Sequence, residues 1–275
     1  MHKLSLCEES IVIAGLLGSD KRYETHKVPF LWRLPYLGER FFTSTSEIER
    51  KTDLIIQITP KIVVDNYSYD NSIIMLKNNF KNIKIIENER NVGFSSAVNI
   101  GIKNSTGKYI CLINPDSIIK EDTIDIIKKY LENNSNVGIV GCKVLNPNGK
   151  LQLSSRRSFP SIFSLFNKFF GFSKIFPNSS FFSKYNQTYI NDDEIQEVDS
   201  ISGSCMMFEQ KLIREIGNFD EQFFLYFEDT DFCYRVKNTN NKIIYNALAK
   251  SVHLKRFSSQ RNNKFKLKFI FFQSM

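Results

Sequence analysis

Three carboxylates fall within four residues in Phe227-Glu228-Asp229-Thr230-Asp231, inside an apolar-flanked run from Phe224 to Arg235. At helical spacing Phe224, Phe227, Phe232 and Arg235 cannot all be buried without drawing one or two acids toward the interior. Crowded, partly desolvated carboxylates have raised pKa values, the property that a general base for a hydroxyl uses. The run also reads as a helix N-terminus, where Glu228, Asp229 and Asp231 favour the macrodipole. Both can hold at once.

Three further sites could join it. In Asn114-Pro115-Asp116 the proline cannot continue a strand ladder, so Asp116 is presented where the chain leaves a sheet. A carboxylate there suits a hard divalent cation that grips a diphosphate; a turn, or a cap for a helix near Asp122, is the alternative. Asp65-Asn66-Tyr67-Ser68 also ends a buried strand, and Asp65 could accept a hydrogen bond from a pyrimidine imide or simply form a turn. His253 is one of only three histidines, and a neutral imidazole there could complete a metal site begun by Asp116.

The elements that must position these residues follow from periodicity. Lys61–Val64 is a β-branched strand, Ile73–Phe80 a helix and Ile83–Ile86 the next strand. Phe94, Ala97, Val98 and Ile102 recur at helical spacing, with Gly107 as a stop. Tyr109–Ile113 is a continuous apolar strand, followed by a helix through Ile124, Ile127 and Leu131 and a strand from Val137 to Val140. This β-α-β-α-β alternation predicts a mostly parallel sheet covered by helices, with ligands beyond the carboxyl ends of the strands, where Asp65 and Asp116 fall. Ser154–Tyr189 reads as a helix plus irregular loop flanking the sheet, and no internal repeat is visible.

Composition bounds the class. The chain has 275 residues, 42% hydrophobic and 24% charged, so it can bury a sizeable core and disorder is not the default. Five scattered cysteines without CxxC spacing argue against a disulfide framework and a zinc site, and fit a reducing compartment. No stretch reaches the roughly 18 apolar residues of a membrane span, and no signal peptide is evident, so a cytosolic location is expected. The net charge of +8 concentrates after Asp231, where no acid follows. That tail could contact anionic lipid, a diphosphate or nucleic acid, or be a solvated face. Its Lys264–Phe272 alternation fits an edge strand or interfacial segment better than a nucleic-acid platform, so no nucleic-acid partner is expected.

Taken together and in order, the motifs resemble the inverting family-2 glycosyltransferases with a GT-A fold, rhamnosyltransferase-like branch. They are Val63-Val64-Asp65-Asn66-Tyr67-Ser68, Asn91-Val92-Gly93-Phe94 with Asn99-Ile100-Gly101, and Leu112-Ile113-Asn114-Pro115-Asp116. Ser155-Arg156-Arg157-Ser158-Phe159-Pro160, Ser202-Gly203-Ser204-Cys205-Met206 and Gly217-Asn218-Phe219-Asp220 follow, then the acidic run and His253 with Ser258. The resemblance implies an α/β, Rossmann-like GT-A domain at 41–275, a mixed, mostly parallel sheet with helices on both faces, behind an extension at 1–40.

The resemblance also implies roles. Asp229 is the catalytic base, with Glu228 beside it the second candidate. Asp65, Asn66, Arg90, Asn91, Gly93 and Asn114 bind the nucleotide-sugar. Asp116 and His253 hold Mg²⁺ or Mn²⁺, and Ser202, Gly203, Ser204 and Asp220 form the acceptor cleft. The donor is a nucleoside-diphosphate sugar, rhamnose by analogy with the branch, and the acceptor is a hydroxyl of a glycan or lipid-linked molecule in cell-surface polysaccharide synthesis. Peripheral membrane contact on the inner face would follow, with the Phe-rich stretch Phe163–Phe176 lying in the interface plane or packing on the sheet.

Two departures stand out. The family opens with a strand of the type VSIVIVTYN. Here Ser10-Ile11-Val12-Ile13-Ala14 has that composition but lies far upstream, while Arg40–Ser46, leading into a helix through Glu47, Ile48 and Leu54, is better spaced. Arg256 stands where the family usually has Gly. The alternative reading is therefore a catalytically impaired relative acting as a binding or assembly module.

Overall fold

A nine-stranded sheet carries the chemistry-bearing residues. The computed structural model describes residues 62–254 in full and, as backbone alone, three strands before them. Those are β1 (Ser10–Ala14), β2 (Arg22–Lys27) and β3 (Thr43–Ile48). Next come β4 (Ile62–Asp65), α1 (Ser72–Asn79), β5 (Lys84–Glu87), α2 (Phe94–Lys103), β6 (Tyr109–Ile113), β7 (Ser117–Ile119) and α3 (Thr123–Asn133). The chain continues through β8 (Val137–Leu145), β9 (Arg156–Arg157), α4 (Ile162–Phe169), α5 (Phe172–Ile175), β10 (Gln196–Glu197), β11 (Ser200–Ile201) and β12 (Cys205–Glu209). It ends in α6 (Gln210–Ile216), α7 (Glu228–Lys237) and β13 (Lys242–His253).

The strand order is β10-β13-β8-β12-β6-β1-β4-β5, with β7 paired to β13. Strands β6, β1, β4 and β5 run parallel, and β12 is inserted antiparallel between β6 and β8. The sheet is therefore mixed, as expected. The order reverses around β1, with β4 on one side and β6 on the other, so the carboxyl ends bearing Asp65 and Asn114-Pro115-Asp116 flank a topological switch point.

Period-2 alternation divides the core between two faces. Ile110 and Leu112 pack with α2, α6 and α7 side chains such as Ala97, Leu212 and Phe232. Tyr109, Cys111 and Ile113 pack with Ile124, Ile127 and Leu131 of α3. All five residues of β6 are buried because both of its faces are covered, which is why it reads as a continuous apolar run. Of the five cysteines, Cys111, Cys142, Cys205 and Cys233 are buried, and Cys7 lies outside the described residues.

Two expectations are corrected here. The strand beside β4 and β6 is Ser10–Ala14, pairing in parallel with both, and not Arg40–Ser46. Thr43–Ile48 is instead a strand paired antiparallel with Arg22–Lys27, so no helix starts at Glu47 and Ile48. By its own contacts the chain divides into one unit of residues 1–16 with 56–275 and another of 17–55. A linear-spacing argument fails here because loop closure costs grow only slowly with length, so a strand can sit far upstream of its neighbour. The tail at Lys264–Phe272, with Arg256 and Ser258, lies outside the described residues.

Candidate active site

Asp116 and His253 meet where β7 and the end of β13 pair, Ser117 standing opposite His253. The Asp116 carboxylate is 4% exposed and its Oδ1 lies 2.9 Å from His253 Nε2. A network fixes the imidazole. Asn146 Nδ2 donates to the carbonyls of Lys150 and Leu151, leaving its Oδ1 to accept from Gln152 Nε2. Gln152 therefore turns Oε1 toward His253 Nδ1, 3.0 Å away, and Nδ1 carries the proton. Nε2 then faces the carboxylate either as a second N–H or as a lone pair shared with a cation. A buried carboxylate beside an imidazole nitrogen is a donor pair that could hold a divalent cation. The outer hydrogen bond from Nδ1 to an amide oxygen is the support a metal-bound imidazole uses. Among the described residues no group of three His, Cys, Asp or Glu side chains gathers around an ion-sized space.

One short loop ties this pair to the acidic run. The Ser204 carbonyl accepts from Asn114 N at 3.0 Å and from Ser117 Oγ at 3.5 Å, while Gly203 N donates to Asp229 Oδ2 at 3.2 Å. Adjacent residues of the loop thus reach the strand end that bears Asp116 and the helix start that bears Asp229. Ser202 and Ser204 hydroxyls also bond each other at 3.0 Å. Of the three residues expected to line the acceptor cleft, Gly203 and Ser204 make this bridge.

At the start of α7, Tyr226 and Phe227 both hold left-handed backbone, φ 72° and 68°. For aromatic residues that costs of order 1–3 kcal/mol each and persists only where surroundings impose it. It turns Glu228 and Asp229 inward at the helix N-terminus, 7% and 8% exposed, beside the buried Phe227 and Phe232, although Phe224 stays exposed. Asp231 points elsewhere and pairs with Arg235 one turn on.

Asp229 and Glu228 have opposite surroundings. Asp229 Oδ2 accepts from Arg157 Nη2 at 2.7 Å as well as from Gly203, whereas Oδ1 has only the Thr230 hydroxyl at 3.2 Å among the described residues. Burial works against the Arg157 charge, but Asp229 more than offsets it and holds the guanidinium above its ordinary range. Glu228 Oε2 has no hydrogen-bond partner among the described residues. Burial first, then the Asp229 charge, push the Glu228 carboxyl up to about 8. At neutral pH Glu228 keeps its proton, whereas the Asp229 carboxylate is paired with the Arg157 guanidinium.

A stability effect follows from that shift. Unfolded, Glu228 ionises near 4.5; folded, it keeps its proton to about 8. Between those values the unfolded chain binds fewer protons, so stability falls as pH rises and levels off above the upper one. Glu228→Gln is expected to raise Tm at pH 8 by roughly 2–8 °C, the range that ~1–2 kcal/mol produces in a domain of this size, with no gain at pH 4. Equal shifts at both pH values in thermal denaturation would contradict the assignment.

The residues expected at the nucleotide are mostly engaged with one another. Asp65 is buried, and its carboxylate accepts from Ser68 N and Oγ. Asn66 Nδ2 donates to Asn91 Oδ1 and the Gly93 carbonyl, and its Oδ1 accepts from Val92 N and Asn88 Nδ2. Asn66 and Asn91 are thus a clamp on the 88–93 loop. Gly93 adopts φ 89°, and a Cβ there would stand 2.9 Å from Phe224, whose carbonyl accepts from Phe94 N. Its freedom serves this close approach of the 219–224 segment to α2. Arg90 is exposed. Asp220 Oδ1 accepts from Gln222 N within its own turn, while Glu221 reaches Ser96 and Asn99 of α2. A cavity of about 480 Å³ lined by Asn99, Lys103, Gln210 and Arg214 contains none of the assigned site residues.

Sequence reasoning gave no role to Arg157 or Gln152. Arg157 sat in a quoted motif, but nothing local distinguished it from Arg156. That neighbour alternates to the opposite side of β9 and binds the 187–192 loop through the Gln187 and Ile190 carbonyls and Asp192. For Gln152 the available signal was a polar residue between Leu151 and Leu153.

Comparison with known proteins bears on the family and the fold. The family model for glycosyl transferase family 2 matches residues 53–217, more than half of the chain. Low-salt glycan biosynthesis hexosyltransferase Agl10 of Haloferax volcanii is 25% identical over 217 residues, covering 77% of this chain and 64% of that protein. An N-acetylglucosaminyl-diphospho-decaprenol L-rhamnosyltransferase of Mycobacterium tuberculosis is 25% identical over 240 residues, covering 83% and 75%. Among solved structures, GalNAc-T7 with UDP, GalNAc and Mn²⁺ superposes with a TM-score of 0.55 at 13% identity, covering 93% of this chain and 44% of that one. S. aureus TarS 1–349 gives 0.51 at 15%, covering 90% and 60%. At such identity the two structures show the fold, the GT-A arrangement. A second family model, for bacterial type II and III secretion system proteins (secretin), matches residues 7–64. Fimbrial assembly protein PilQ of Pseudomonas aeruginosa is 42% identical over 55 residues, 20% of this chain and 8% of that protein. The N-terminal stretch left without a counterpart by the glycosyltransferase resemblance therefore has one of another kind, and β1 lies within it.

Proposed function

The chain belongs to glycosyl transferase family 2, in its rhamnosyltransferase-like part, and from that premise we propose that it is an inverting, metal-dependent glycosyltransferase. It moves a sugar, rhamnose by analogy with its relatives, from a nucleoside-diphosphate donor to a hydroxyl of a glycan or lipid-linked acceptor. The observation that carries this reading is the Gly203-Ser204 bridge, which joins Asp229 to the strand end bearing Asp116. A diphosphate-binding end and a proton-accepting end are thereby fixed to one backbone segment, as displacement at a sugar carbon requires. No helix among the described residues is long and apolar enough to cross a membrane, and the proposed place of action is the cytosol or the inner membrane face.

A divalent cation held by Asp116 and His253 would offset the charge gathering on the departing diphosphate. Manganese suits a mixed oxygen and nitrogen pair better than magnesium. The chain does the rest. Gln152 holds the imidazole, and Arg157 with Gly203 N–H holds one Asp229 oxygen so that the other can take the acceptor proton. Attack from the face opposite the leaving group inverts the anomeric centre.

Calorimetry of a nucleoside diphosphate with and without Mn²⁺ tests the metal end. Tight binding is expected with the ion, and Asp116→Asn should weaken it by roughly 10–100-fold or more. Affinity independent of both the ion and Asp116 would remove the metal assignment. A second reading, a catalytically impaired relative acting as a binding or assembly module, is favoured by one observation. The strand in the first position comes from the secretin-like stretch and ends in Ala14. Turnover of a nucleotide sugar by the wild-type chain would exclude it.

A further inference from the structure

We propose that the face formed by α4, α5 and the loop after them docks on an anionic lipid bilayer. The transfer reaction stands without it.

Helix α4 has its polarity reversed. Ser164 and Asn167 are buried, whereas Ile162, Phe163, Phe166 and Phe169 face solvent, Ile162 at 93% and Phe169 at 77% exposure. These positions form one helical face, and the opposite face points inward. That inward face is satisfied by hydrogen bonds: Ser161 and Ser164 cap one another reciprocally, and Asn167 Nδ2 donates to the Phe181 carbonyl. Beyond α4 the exposed surface continues through Phe170, Ile175 and Phe181. The rings pack on each other, Phe166 against Phe170 at 4.4 Å and Phe163 against Phe181 at 4.6 Å, so the surface is preformed. Contiguous apolar area of this kind marks an interaction site.

Charge identifies the occupant. From residue 133 to residue 191 the sequence has no Asp or Glu, and Lys174 and Lys184 are exposed on the aromatic segment itself, while the Lys168 ammonium turns over the Tyr185 ring. Two copies of the chain meeting here would set lysine against lysine with no carboxylate of the segment to offset them, and lysine is depleted at protein interfaces. An anionic headgroup layer supplies the opposite charge everywhere, while Phe and Ile side chains enter the acyl boundary. The segment leaves β9 directly after Arg157, so a bilayer holding it would lie next in the chain to the residue that pairs with Asp229.

Flotation with phosphatidylcholine vesicles, with and without phosphatidylglycerol, tests this on the full chain. Binding is expected to the anionic vesicles only and to weaken with salt. The triple variant Ile162→Ser, Phe169→Ser, Ile175→Ser should lower it about tenfold or more, and Lys174→Gln with Lys184→Gln roughly fivefold per charge removed. Nucleoside diphosphate binding with Mn²⁺, measured alongside, should persist in both variants and reports folding. Vesicle binding untouched by both variants would overturn the proposal. So would absent vesicle binding together with a dimer, seen by sedimentation, that the triple variant dissociates. Loss of nucleotide binding in the wild type with vesicle binding kept would sink the transfer reading and leave this one standing.

Discussion

Asp229→Asn is expected to lower kcat for sugar transfer by about 10²–10⁴-fold, with nucleoside diphosphate affinity unchanged. An amide keeps the shape of the side chain and one accepting oxygen but cannot take a proton. The predicted size is that of removing a positioned base, and the unchanged affinity follows because the diphosphate is assigned to Asp116 and His253, at the other end of the Gly203-Ser204 bridge. Glu228→Gln is the control. Glu228 holds its proton up to about 8, so replacing a neutral acid with a neutral amide should leave most of the rate at pH 7. If Glu228→Gln costs as much rate as Asp229→Asn, the base has been assigned to the wrong carboxylate.

Residue types and spacing made these two residues candidates without separating them, the family resemblance alone ranked Asp229 first, and the reason is local. Acid spacing and apolar flanks announce that carboxylates are drawn inward, yet the same residues complement a helix N-terminus, and both statements hold in the structure. What separates Asp229 from Glu228 is Arg157, which lies 72 positions away in the chain and reaches the site only because β9 pairs with β11. The strand Tyr109–Ile113 was legible to the residue, because burial on both faces leaves an uninterrupted apolar run ended by Asn114-Pro115. The first strand was not. Its composition was right, but the intervening unit at 17–55 made it look misplaced, and short strands carry no signal of their partners.

Asn66, Asn91 and Gly93 show a different limit. Their motif is recognisable, and nucleotide contact was the expectation; the geometry engages their polar groups with one another and with the approach of Phe224. Such residues shape a loop whose backbone can still border a ligand. Substituting them would therefore move stability before affinity. The family match ends at Gly217, so the acidic run and His253 lie beyond it, and their roles rest on geometry and on mutation.

Arg157→Met is expected to destabilise the protein by about 3–5 kcal/mol, because it leaves the Asp229 carboxylate buried without its cation. In a domain of this size that corresponds to a fall in Tm of roughly 6–20 °C. The pair is short, 2.7 Å, with side chains 13% and 11% exposed, so water compensates little of the loss. Pairing Arg157→Met with Asp229→Asn should restore much of the stability, since the orphaned charge is gone, and the double-mutant cycle would show coupling well above the few tenths of a kcal/mol of independent sites. Arg157→Lys keeps the charge but not the fork, and should recover stability more than activity. The competing account is that Arg157 serves the donor diphosphate. It predicts that Arg157→Met weakens nucleotide binding and adds to Asp229→Asn without coupling. The proposed one predicts intact nucleotide affinity, a kcat lowered through the misplaced base, and strong coupling, so one thermal series and one titration on the same three proteins decide between them.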